Sequence, residues 1–122
     1  MPEPLERAAL DELRAMTGGD AALYVELLDT FLTDADLYLS ELRAATDPAT
    51  LARAAHSLKS NAMTVGATEL AAHCRALEAD ARAGDVADRE PRVEAIGALL
   101  LVARAGVVDE RNAVAGGGSD GA

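Results

Sequence analysis

The 122-residue chain carries 21 acidic and 11 basic side chains, a formal net charge of −10 with histidine neutral. A charge of that sign repels nucleic-acid backbones and excludes a role built on non-specific phosphate binding. Half the residues are apolar, but the only aromatics are Tyr24, Phe31 and Tyr38. Alanine and leucine make up most of the rest, which favours helix over strand and fits one all-α domain.

The single cysteine, Cys74, cannot close an internal disulfide and fits a reducing compartment. The start, Met1-Pro2-Glu3-Pro4, lacks the basic and then apolar profile of a secretory signal. The longest dense apolar run, Ala98 to Ala103, is too short to cross a bilayer. A cytoplasmic protein with no membrane contact is expected.

Leu5, Leu10, Leu13 and Met16 predict a short first helix, ended by Gly18-Gly19. Asp20 can cap a long second helix. Its Tyr24, Phe31 and Tyr38 recur at every seventh position, with Leu27, Leu28, Ala35, Leu39 and Leu42 in the same stripe. That spacing is the seam of a helical bundle, so these aromatics are read as core and not as a ligand box. Asp47-Pro48 is an N-cap followed by a first-turn proline. The third helix then shows Leu51, Ala54, Ala55, Leu58, Ala62 and Val65 on one face.

Gly66 breaks that helix. A fourth turns Leu70, Cys74, Leu77 and Ala81 inward and stops at Gly84. Pro91 can open a fifth, with Val93, Ile96, Leu100, Ala103 and Val107 on its stripe. From Asp109 the chain turns polar and then glycine-rich. The expected organisation is a bundle domain over residues 1–108 and a flexible tail over 109–122. Four longer amphipathic helices with short connections imply an antiparallel up-down four-helix bundle, the short first helix lying across one end.

On the third helix, taken at roughly 100° per residue, His56 falls about 140° from the apolar stripe. Ala52, Lys59, Ser60 and Met63 share its side, and Arg53 flanks it. Between Pro48 and Thr68 the chain has Arg53 and Lys59 but no acid, which predicts a cationic island in an acidic protein. Neutral imidazole has a free ring nitrogen able to attack phosphorus. Lys59, three residues on and roughly 5–6 Å away, attracts a doubly charged phosphoryl group by about 1–2 kcal/mol in water-like dielectric. Small residues at Ala52, Ser60 and Gly66 let another protein's active site come close, and Met63 offers an adaptable apolar contact.

No metal site is expected. Neighbouring His73 and Cys74 point in different directions on a helix, and no chelating repeat accompanies them. Nor is there a phosphate-cradling glycine loop or a kinase signature, so phosphate must arrive from a partner and not from ATP.

His56-Ser57-Leu58-Lys59-Ser60, then Gly66-Ala67, Leu70, Cys74 and Leu77-Glu78, resembles the histidine-containing phosphotransfer (HPt) domain of multistep bacterial phosphorelays. The family pattern is a His, a Lys three residues on, usually Gly next, and a second Gly ten residues after the His. The resemblance implies a four-helix bundle over most of residues 5 to 108, with the strong motif confined to 54–78. It makes His56 the phosphoacceptor, Lys59 its electrostatic helper and Gly66 the clearance residue, with Ala52, Arg53, Ser60 and Met63 around them at the partner surface. Ser60 departs from the pattern where many members carry Gly, which bears on partner preference.

The implied activity is that of a carrier without its own kinase. His56 would take a phosphoryl group from the phospho-aspartate of a receiver domain and pass it to another. The implied partners are receiver domains of response regulators or hybrid histidine kinases. The chain needs no cofactor of its own, and Mg²⁺ is expected to come with the receiver. The competing readings are a helical adaptor that binds partners without phosphorylation and a dimerisation bundle built on Ala98-Leu99-Leu100-Leu101-Val102; a monomer is the expected state.

Overall fold

The computed structural model describes residues 4–120, with side chains as far as residue 116. Residues Met1 to Glu3 and the last two of the expected tail, Gly121 and Ala122, lie outside the described residues. Five helices follow one another: α1 (Arg7–Ala15), α2 (Ala21–Ala44), α3 (Pro48–Thr64), α4 (Thr68–Arg82) and α5 (Arg89–Asp120). Helices α2 to α5 form a closed ring in which α2 and α4 each pack against both α3 and α5, while α1 lies against α2 and α3. This is the expected all-α bundle.

Local signals set the boundaries. Asp20 accepts from the Leu23 N–H at 3.1 Å, and Asp47 from the Thr50 N–H at 2.8 Å, each satisfying a donor that a helix start leaves free. Pro48 follows Asp47 as a first-turn proline. At the other end of α2, the Arg89 guanidinium donates to the Leu42 and Arg43 carbonyls at 3.2 and 3.0 Å, covering acceptors that the helix cannot use itself. Helix α5 begins at Arg89, so Pro91 sits within its first turn, where a missing N–H costs nothing.

The core is drawn from the predicted stripes. Tyr24, Leu28, Phe31, Ala35 and Leu42 of α2 are buried with Leu51, Ala55, Leu58 and Ala62 of α3. Leu70, Cys74 and Leu77 of α4 and Ile96, Leu100, Ala103 and Val107 of α5 close it. Two expectations shift. Tyr38 is only partly buried, because the seven-residue period drifts relative to a 3.6-residue turn. Met16, expected inward, is exposed, because α1 ends at Ala15 and the chain turns away there. The apolar run on α5 divides: Leu100 is buried, while Leu101 and Val102 face solvent.

The α2–α5 register is written in charge. Asp36 pairs with Arg104 and Asp29 with Arg111, so seven residues backward on one helix match seven forward on the other. That is an antiparallel pair. Helix α5 also runs past the domain boundary expected at residue 108. Val114 is buried, and Glu110 accepts two bonds from Arg7 and one from the Tyr24 hydroxyl at 2.8 Å. The first turns of α2 need a neighbour, and α5 must run past 108 to supply it.

Candidate functional site

His56 stands in the middle of α3, on the side that meets α4. Half of its side chain, 52%, is open to solvent. Leu51, Ala55 and Leu58 anchor the opposite face in the core, so the helix phase alone presents the imidazole outward. Across the α3–α4 seam stands Glu78, 7% exposed as a residue. Its Oε2 lies 2.9 Å from His56 Nδ1, its Oε1 accepts from Lys59 Nζ at 3.0 Å, and Arg82 donates to Oε2 from Nε and Nη2 at 3.1 and 2.8 Å.

Burial pushes the Glu78 carboxyl group up, but the bonds from Arg82, Lys59 and His56 outweigh it and hold it at about 2. At neutral pH Glu78 is therefore an anion that can only accept. The hydrogen on the His56 ring must then sit on Nδ1 and be donated to Glu78. In the neutral ring this leaves the lone pair on Nε2, which has no protein hydrogen-bond partner among the described residues. The site thus holds a ring nitrogen with no hydrogen-bond partner among the described residues, on an imidazole whose other nitrogen is tied to a carboxylate that two cations share.

Several expectations are sharpened or corrected. Lys59 is not a free surface cation: its side chain is 18% exposed and tied to Glu78. The cationic island has an anion at its centre, because the carboxylate comes from α4 and a survey of one helix cannot see it. Ala52 is buried and forms, with Ala81, part of an open cleft of about 520 Å³ that Arg53, Arg82 and His56 also line. Arg53, Ser60 and Met63 are exposed as expected.

Gly66 is not in the open position expected of it. It is buried, with φ +74°, its carbonyl accepts from the Glu6 N–H at 3.0 Å, and an added Cβ would stand 2.8 Å from that nitrogen and 2.9 Å from Ala9 Cβ. The clearance it provides is for the protein's own N-terminal segment. Met63 instead shares a shallow groove with Ala9, Leu13 and Met16 of the N-terminal region. His73 is exposed, with Nδ1 3.0 Å from the Glu69 carbonyl oxygen, and Cys74 is buried with its thiol pushed up to about 12 by burial and by nearby Glu78. Neither touches the His56 cluster by a hydrogen bond.

Glu78 and Arg82 are the residues that the reading of the site missed. A signal for Glu78 was present: it lies on the α4 stripe with Ala71, Cys74, Leu77 and Ala81. A carboxylate on a core stripe needs partners, and the facing helix carries His56 and Lys59.

The Hpt domain family model matches residues 26–106, which include the whole α3–α4 pair and its His-Lys spacing. The chain belongs to the Hpt domain family. Among solved structures, this Hpt domain is similar to histidine-containing phosphotransfer protein B (HptB) from Pseudomonas aeruginosa PAO1. The TM-score is 0.83 and the identity 30%, over 92% of this chain and 97% of that one. No curated protein matches the chain by sequence. As an Hpt domain the chain is a phosphotransfer relay protein. No helix among its described residues is long and apolar enough to cross a membrane.

Proposed function

We propose that this Hpt domain is a cytoplasmic relay intermediate. In this reading His56 accepts a phosphoryl group from the phospho-aspartate of one receiver domain and delivers it to the aspartate of another. The observation that carries this is the bond from His56 Nδ1 to Glu78, which leaves Nε2 as the free nucleophile on a half-exposed ring. In the accepting step the Nε2 lone pair forms the N–P bond while the acyl O–P bond breaks, its electrons leaving on the aspartate. The ring keeps its Nδ1 proton, and Glu78 balances the resulting positive charge.

Glu78 holds Lys59 and Arg82 at 3.0 and 2.8 Å, so a phosphoryl group on the ring would meet two cations whose charge the carboxylate partly offsets. The receiver, belonging to a response regulator or a hybrid histidine kinase, brings the Mg²⁺ that phosphoryl transfer requires. Arg53, Ser60 and Met63 form the surface it meets. Mixing the chain with a phosphorylated receiver domain tests the reading. An acid-labile, base-stable phosphate is expected on the wild type and not on His56→Gln; equal labelling of the two would refute it.

A further inference from the structure

Glu78 faces His56 together with Lys59 from the same helix as the histidine and Arg82 from its own, while Arg53 borders the cleft beside them. If this cluster served only to hold a phosphoryl group, a buried anion at its centre would be counterproductive. It occupies both cations nearest the ring and repels a dianion across the imidazole. We propose that Glu78 makes phosphorylated His56 a donor instead of a store: its carboxylate retains the proton on Nδ1 and neutralises Lys59 and Arg82, so the group leaves readily.

The chemistry is specific to the direction of loss. When phosphorylated His56 gives up its group, the N–P bond breaks and its electron pair stays on Nε2. The acceptor oxygen, from an aspartate or from water, forms the new O–P bond. With Nδ1 protonated, the departing ring is neutral imidazole; without that proton it would be an imidazolide, a far poorer leaving group. A carboxylate 2.9 Å from Nδ1 holds the proton in place. A neutral amide in the same position accepts the same hydrogen bond but favours the protonated ring much less. A unit charge acting on a phosphoryl dianion across roughly 6 Å of water-like medium changes an equilibrium or rate about tenfold.

The inference rests on the relay reading of His56, and the test separates the two. The full chain is loaded with potassium phosphoramidate, a small-molecule phosphoryl donor, and loss of the phosphohistidine ³¹P signal is followed at neutral pH. His56→Gln identifies the signal that belongs to His56 and not to exposed His73. Glu78→Gln is expected to lose its phosphoryl group about tenfold more slowly than the wild type. Arg82→Gln, which removes a cation from a largely exposed side chain, is expected to lose it about threefold faster.

In ¹⁵N-histidine-labelled protein, Glu78→Gln should retain the Nδ1–H tautomer, whereas Glu78→Ala should show a mixture of tautomers; packing loss alone does not produce that contrast. A Glu78→Gln protein that decays at the wild-type rate or faster overturns the proposal. Should Glu78→Gln not fold, Arg82→Gln decides, and an unchanged or slower decay there overturns it equally. If no signal disappears on His56→Gln substitution, the relay reading itself falls, and this inference with it.

Discussion

His56 and Glu78, 22 positions apart in sequence, are joined by a 2.9 Å hydrogen bond across the α3–α4 seam. The bond ties the orientation of the imidazole to the packing of two helices, so it exists only while the bundle is closed. Its partner Lys59 is held by the same carboxylate at 3.0 Å.

Lys59→Ala should therefore affect both function and fold. Losing one cation near the phosphoryl group lowers the transfer rate about tenfold. Losing one of the partners of a buried carboxylate lowers stability by about 1–3 kcal/mol. Stopped-flow transfer from a phosphorylated receiver, alongside urea denaturation, measures the two separately. A variant as stable as the wild type would contradict the half-buried placement of Lys59.

The pH dependence of stability follows from Glu78. Its folded carboxyl lies near 2, below the ordinary value of 4.5, so in the folded state it resists protonation. The stabilisation from this group is complete above the ordinary value and is lost as pH falls from about 5 towards 2. Thermal melts of the wild type should show the midpoint falling through that window, and Glu78→Gln should flatten the fall. Parallel curves for the two proteins would show that Glu78 is not the group responsible.

Gly66→Ala should detach the N-terminal segment. The added carbon meets Glu6 and Ala9 at 2.8–2.9 Å, and the backbone there has φ +74°. A cost of about 2–4 kcal/mol is expected from overpacking and left-handed strain together. Amide exchange should rise first in residues 6–15. Unchanged protection in α1 would remove the case for Gly66 as the seat of that helix.

Shortening the chain after residue 108 should destabilise the bundle, although the sequence there reads as a tail. It removes Glu110 from Arg7 and Tyr24, Arg111 from Asp29, and the buried Val114. Glu110→Ala alone should cost about 1–2 kcal/mol, since the Tyr24 hydroxyl and the Arg7 guanidinium both lose their acceptor. Denaturation midpoints of the full and shortened chains provide the comparison; coincident midpoints would restore the boundary at 108.

Met16→Glu and Met63→Glu should weaken receiver docking about tenfold each while leaving the bundle folded. Both side chains are more than half exposed and share one groove beside the histidine face. Titration calorimetry with a receiver domain that accepts phosphate from the chain measures this. Unaltered affinity in both variants would move the partner surface away from α1.

Much of this was legible in the sequence because helices are governed by local rules. Asp20, Asp47 and Pro48 announced helix starts, the Leu and Ala spacing gave each helix its inward face, and those phases placed His56 outside. The His56–Lys59 spacing is likewise a property of one helix, which is why the motif could be read without a fold. The limits appear wherever two helices meet. Glu78 enters the site from α4, Gly66 faces Glu6 instead of a partner, and α5 stays packed beyond 108 through charges matched to α2 and α1. Periodicity reports which face of a helix is apolar, but it carries no information about which side chain on the next helix stands opposite. The sequence by itself determined the helices and the outward placement of His56. The tertiary structure decided which nitrogen of that residue is free, because only packing could bring a buried carboxylate to the other one.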